Sequence, residues 1–346
     1  MKMSKKTSPG RFFEDFVVGQ TIVHATPRTI TSGDRALVMA LYPIRHALYS
    51  SDEFARNCGL REAPLEDFAV FHFVFGKTVP DISINAVANL GYAGMRFRRM
   101  VHVGDTISAS SEVIGVKENS SGRTGIVWVR TTGINQHRTP IIEFIRWVMV
   151  AKRHPGQRSG VSQVPDIPAS LAAGELETEP GLDYSRYRFD EAGEAHGRPS
   201  YEPGETIDHG LGVTVEEAEH MMATRLWQNP ARVHFDAGWR EDGRRLVYGG
   251  HVISMARALS FYGLANAQPI LGVNSGSHVS PCFAGTTVHA WSRILDCSDS
   301  RAPGAAALRI RTIATNCHLP DFPEQADPAA TLLDLDYWAL VPAGNS

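Results

Sequence analysis

The amino-acid sequence is written twice. "VGQTIVHATPRTITSGDRALVMALY" (18–42) aligns without gaps on "PGETIDHGLGVTVEEAEHMMATRLW" (203–227), sharing G-x-T-I-x-H, a T-[IV] step and an acid at Asp34 or Glu219. "LGYAGMRFRRMVHVGDTISASSEVI" (90–114) aligns on "LGVNSGSHVSPCFAGTTVHAWSRIL" (271–295). "RTTGIN" (130–135) then matches "RTIATN" (311–316), and "EFIRWVMV" (143–150) matches "DLDYWALV" (334–341). Blocks that recur in the same order mark a tandem duplication, so the chain must fold as two similar units. These are residues 11–150 and 200–346. The segment 151–199 between them is rich in Pro, Gly, Ser and Glu without sustained periodicity, which predicts a linker running over the surface.

Within each unit the pattern predicts helix first and strands later. "TVEEAEHMMATRL" (214–226) has capping-box spacing, with Thr214 as cap and Glu217 three residues on. "GGHVISMARALSFYGLANA" (249–267) is a longer apolar helix opened by two glycines, and its counterpart is "FAVFHFVFGKTV" (68–79). β-branched and aromatic runs with partial alternation follow, such as "TGIVWVRTTGI" and "TLLDLDYWALV". A long apolar helix followed by antiparallel strands buries itself against one curved sheet, an α+β packing. Two such units can pair edge to edge and cover their open sheet edges.

Composition narrows the function classes. With 43% hydrophobic and 21% charged residues the chain reads as soluble and globular, and a net charge of -3 offers no basic field for nucleic acid or anionic membrane. No apolar run is long enough to span a bilayer. The basic N-terminus lacks the apolar stretch of a secretory signal, and the four cysteines form no CxxC pair, so a reducing cytoplasm is expected and a metal site is not. P-loop, GxGxxG, GxSxG and HExxH motifs do not occur, which disfavours phosphoryl transfer, dinucleotide redox and elbow-type serine hydrolysis.

Chemistry concentrates in "RLWQNPARVHFD" (225–236) and "VYGGHVISMARAL" (247–259). Pro230 breaks the preceding helix, so His234 emerges on a loop or turn, where substrate-facing residues are commonly placed. The competing reading is a satisfied structural histidine, a role better suited to the repeat-equivalent His24 and His209. Gly249 and Gly250 leave free N–H groups at the positive end of a helix, which suits an oxyanion; tight helix–sheet packing explains such glycines equally well. Asp34 and Glu219 lie in helical stretches where carboxylates are usually solvated. The basic runs "RFRRM" (96–100) and "AKRH" (151–154) read mainly as solvated charge.

"TVEEAEHMMATRLWQNPARVHFD" followed by "LVYGGHVISMARAL" resembles the MaoC-like, R-specific enoyl-CoA hydratases. That family carries G-D-x-N-P-L-H before an H-G pair at the start of the central helix of a hotdog fold. The resemblance puts His234 at its histidine, Asn229 at its aspartate and Gly249 at its helix-start glycine. "FFEDFVVGQTIVHATPRTIT", "VFHFVFGKTVPDISINAVANLGYAG" and "YGGHVISMARALSFYGLANA" are more similar to one branch, the mesaconyl-CoA (2-methylfumaryl-CoA) hydratases, over nearly the whole chain. The resemblance implies a tandem double hotdog, each unit a long central helix wrapped by an antiparallel sheet, that interconverts mesaconyl-CoA and β-methylmalyl-CoA. It implies no cofactor beyond the CoA thioester itself, an acyl-CoA as partner, and a homodimer or higher homo-oligomer.

In the first unit, "IRHALYSSDEFA" (44–55) puts Ile44 at the aspartate position and Tyr49 at the histidine position, neither a base near neutral pH. One functional site per chain is therefore expected, with the first unit shaping the acyl pocket and Tyr49 a candidate contact. Asn229 can orient a water but cannot carry its proton. Either His234 takes and returns that proton alone, or a nearby carboxylate, Asp236 or Glu219, replaces the aspartate. The substrate's own carboxylate calls for an arginine, with Arg232 and Arg45 as candidates. Ser277 stands where arginine is expected in the branch and Thr286 where aspartate is, which keeps another branched or dicarboxylic enoyl-CoA open as substrate. A hotdog thioesterase and a non-catalytic acyl-CoA-binding protein are the remaining alternatives.

Overall fold

The computed structural model describes residues 6–344. The first unit contributes β1 (Thr21–Thr29), β2 (Ala86–Phe97), β3 (Thr106–Glu118), β4 (Thr124–Ile134) and β5 (Pro140–Ala151). A two-residue β6 (Ser162–Gln163) from the linker pairs with β3. The second unit contributes β7 (Thr206–Thr214), β8 (Ile270–His278), β9 (Thr287–Asp299), β10 (Ala305–Thr315) and β11 (Thr331–Pro342). The strands run β1-β3-β4-β5-β2-β8-β11-β10-β9-β7, so the second unit repeats the first unit's order in mirror sequence across the chain. The units join where β2 pairs antiparallel with β8, Tyr92 opposite Gly276 and Met95 opposite Val273. Edge-to-edge pairing thus removes the β2 and β8 edges from solvent.

Each half-sheet wraps one helix. All twelve residues of the first central helix, Asp67–Thr78, are buried, as are ten of the eleven in the second, Gly249–Leu259. Helices apolar on every side belong inside a core. The two helices also meet each other, joined by a 2.9 Å hydrogen bond between His72 Nε2 and Ser254 Oγ. The repeat is visible down to its polar core: His24 Nε2 meets Ser111 Oγ at 2.8 Å and His209 Nε2 meets Ser292 Oγ at 2.8 Å. In turn Ser111 meets Thr131 at 2.7 Å and Ser292 meets Thr312 at 2.8 Å. His24 and His209 therefore serve the structure as buried, hydrogen-bonded ring pairs to the sheet.

Several local readings change. A strand precedes the helix in each unit: β1 and β7 are edge strands with mostly exposed side chains and an interrupted register, so their alternation is faint in the sequence. Thr214 does not cap a helix, because it ends β7 and its hydroxyl bonds that of Thr287 at 2.8 Å; the helix begins at Glu217. The linker does more than cross the surface. Leu171, Leu176, Leu182, Tyr184 and Tyr187 are buried in the main core, apolar residues spaced too irregularly to announce themselves by period.

Candidate active site

The helix Glu217–Leu226 stops at Gln228, whose φ of 54° is left-handed. Asn229 is buried, and its Oδ1 accepts the Ala231 N–H at 3.0 Å, closing a turn around Pro230. With its oxygen committed, the amide has its NH2 end left as a donor. A single turn, Arg232–Phe235, follows and carries His234. The Val233 carbonyl accepts from Leu246 N at 2.9 Å, and His234 Nδ1 donates to the Leu246 carbonyl at 2.7 Å. A carbonyl only accepts, so Nδ1 holds the proton and Nε2 keeps its lone pair. Desolvation pulls the His234 pKa down to about 4, against which the Leu246 bond works.

Asn229, His234 and Gly249 line one cavity of about 280 Å³. Gly249 and Gly250 open the second central helix, and their N–H groups have no acceptor among the described residues. A Cβ on Gly249 would fall 2.4 Å from His278 Nε2, and one on Gly250 would fall 2.4 Å from the Tyr248 ring and 2.5 Å from His72. Gly249 therefore lets His278 close against the helix start, whereas Gly250 serves packing between the central helices. His278, at the end of β8, is a second cavity histidine: burial and then His234 lower its pKa to about 4. Its Nε2 lies 3.2 Å from the Tyr92 hydroxyl of the other unit. Phe75, Val79, Ser83, Tyr92 and Arg146 bring the first unit into the wall.

The remaining sequence candidates lie elsewhere. Asp236 is exposed and caps Gly238 N at 2.9 Å, and Glu219 lies 3.1 Å from His251 Nε2; neither reaches the cavity. Arg232 is exposed over the Trp239 ring, and Arg45 is exposed over Phe261 and Tyr262. Among the described residues no Asp or Glu lines the cavity wall. Ser277, one residue from His278, is not part of that wall.

Tyr49 belongs to the first unit's counterpart of this site, where the chain has filled its own cavity. Asp67 opens the first central helix as Gly249 opens the second, and its carboxylate accepts from Tyr49 Oη and from Ile270 N at 2.7 Å. Burial, reinforced by Glu66, raises the Asp67 pKa to about 7. Linker residue Glu177 pairs with Arg98 at 2.5 Å and Arg99 at 3.3 Å, and Glu179 accepts Met100 N at 2.8 Å. About 20 Å³ is left beside Asp67, Phe97 and Arg98, room for roughly one water.

Two helices wrapped by one continuous sheet recur in solved structures. A MaoC-domain dehydratase of Chloroflexus aurantiacus superposes with a TM-score of 0.95 at 52% identity, covering 99% of this chain and 100% of that one. A double-hotdog protein of Mycobacterium tuberculosis gives 0.75 at 26% identity, covering 96% and 98%. The protein is thus a MaoC-like double hotdog, as the sequence resemblance implied. The match narrows further. The mesaconyl-CoA hydratase family model matches residues 2–186, and a mesaconyl-CoA hydratase of Cereibacter sphaeroides is 56% identical over 341 residues, 97% of this chain and 99% of that one. The chain belongs to the mesaconyl-CoA hydratase family.

Proposed function

We propose that the protein adds water reversibly to mesaconyl-CoA, giving β-methylmalyl-CoA. The observation that carries this reading is the free Nε2 of His234 sharing one cavity with the Asn229 amide and the unpartnered Gly249 N–H. Asn229 donates to the oxygen of a water while His234 Nε2 accepts its proton, aiming a lone pair at the β-carbon. The Gly249 N–H takes the thioester oxygen as enolate charge develops; one such donor is worth about 2.7–4 kcal/mol of barrier. With no carboxylate in the wall, His234 itself returns the proton to the α-carbon. The reaction so written uses protein groups alone, with CoA as the substrate's carrier.

A histidine that activates water could also serve a thioesterase, so product analysis separates the two reactions. Incubation with mesaconyl-CoA should consume the enoyl-thioester absorbance without liberating thiol. His234→Ala should lower kcat by at least about a hundredfold, as loss of a general base does, while the melting temperature stays close to wild type. Release of free CoA, or full activity in the variant, would refute the reading.

A further inference from the structure

Arg146 sits on β5 with no exposed surface, yet among the described residues none of its nitrogens meets a carboxylate. Its Nη2 donates to Thr78 Oγ1 at 2.7 Å, and both Nη1 and Nη2 lie 3.4 Å from Ser83 Oγ. The guanidinium stacks 4.4 Å from the Phe75 centroid, and its Nε has no partner. Desolvation lowers its pKa to about 10, which leaves it charged at neutral pH. A buried cation without a counter-ion is destabilising, so the fold alone gives no reason to keep it.

The duplication supplies an internal control. Arg146 faces Val129 on β4, and the aligned position in the second unit is Tyr337, facing Ile310 on β10. Tyr337 is buried, and its hydroxyl accepts from the Thr312 hydroxyl at 3.2 Å. The sheet accepts an uncharged residue here, and only the copy whose side chain borders the working cavity carries a cation. Two further wall residues are poised for an anion. Ser83 Oγ accepts from Arg146, which leaves its own O–H to donate, and both amide atoms of Asn89 are buried without a partner.

We propose that Arg146, acting with Ser83 and Asn89, recognises the free carboxylate of a dicarboxylic acyl-CoA. This rests on the hydration reaction above, where the carbon that receives water is the one bearing the carboxylate. A cation beside that group offsets its repulsion of the incoming oxygen and fixes which alkene carbon faces His234. It also makes the counter-ion of Arg146 the substrate itself.

The test uses the full-length protein and two inert thioesters shaped like the proposed substrate. These are 2-methylsuccinyl-CoA, with the thioester beside the methyl-bearing carbon, and 2-methylbutanoyl-CoA, in which methyl replaces carboxylate. Calorimetric affinities are compared for wild type, Arg146→Gln and Ser83→Ala. Wild type should prefer the dicarboxylic ligand, and Arg146→Gln should erase at least about thirtyfold of that preference, the lower range for stranding one partner of a buried pair. Ser83→Ala, which leaves the guanidinium in place, should reduce the preference less. Arg146→Gln should also melt at or above the wild-type temperature without ligand, a result that a structural arginine would not give. Equal weakening of both ligands, or no preference in wild type, would overturn the proposal. Because neither probe can be hydrated, failure of the enzyme to turn over mesaconyl-CoA would count against the reaction and leave this readout intact.

Discussion

In the proposed reaction Asn229 holds the water that His234 deprotonates, and that division has a pH signature. The His234 pKa near 4 places its neutral, competent form at every pH above about 5, with His278 beside it lowered to about 4 as well. The profile of kcat/KM should therefore be flat from pH 5.5 to 8 and fall only as pH drops through about 4, insofar as the fold survives there. Asn229→Asp would place a carboxylate beside His234, favour the imidazolium and move the acid limb upward by at least about one unit. It should also raise KM, since a second anion would face the substrate's carboxylate. A limb that stays in place would mean that residue 229 does not address His234. At this scale the sequence was legible where a motif existed: His234, Asn229 and Gly249 all line the cavity. His278 and Arg146 belong to no motif, and nothing local marks them. Their signal lies in the comparison of the two repeats, where His278 stands opposite Phe97 and Arg146 opposite Tyr337. Polar residues in one copy at apolar or neutral positions of the other were the sites to find.

At the scale of elements, the two central helices differ most at their N-termini. The second central helix opens on glycine and presents bare N–H groups, while the first opens on Glu66 and Asp67, which bond its own donors and the Tyr49 hydroxyl. The same element thus offers free donors in one copy, the basis of the proposed oxyanion site, and is filled by its own side chains in the other. Gly249→Ala tests this directly. Its new methyl group would meet His278 at 2.4 Å, so that ring must swing into the cavity. Intrinsic helix preference would favour alanine by under about 1 kcal/mol, whereas overpacking of this kind costs about 1–3 kcal/mol. The variant should therefore melt modestly lower and lose activity disproportionately, at least about tenfold in kcat; unchanged kcat would detach Gly249 and His278 from the reaction. The two central helices and strands β3–β5 and β9–β11 followed from periodicity and β-branched runs, but β1, β7 and the junction strands β2 and β8 did not. An edge strand facing water on most of its length carries little alternation to read.

For the whole molecule, the cavity that holds His234 is walled by both units. The cavity takes His234, Asn229, Gly249 and His278 from the second unit and Phe75, Ser83, Tyr92 and Arg146 from the first. Joining β2 to β8 and His72 to Ser254 holds those two sets in register. The linker then locks the idle cavity through Glu177 and Glu179 and buries Leu171, Tyr184 and Tyr187 in the shared core. Such a chain should tolerate a break but not a separation. The loop from Gly156 to Gly160 is exposed and both glycines have positive φ, so a cut there removes no apolar side chain from the core, although Ser159 and Gly160 bond Glu118 of the buried Lys152–Glu118 pair. Residues 1–158 and 159–346 produced together should assemble into a complex that hydrates mesaconyl-CoA at a rate near that of the intact chain. The second fragment alone keeps His234 and Asn229 but exposes the β8 edge and loses Arg146 and Tyr92. It should associate non-specifically, as open sheet edges do, and show no turnover. Full activity in that fragment by itself would mean that the first unit contributes nothing to the chemistry, contrary to the shared wall.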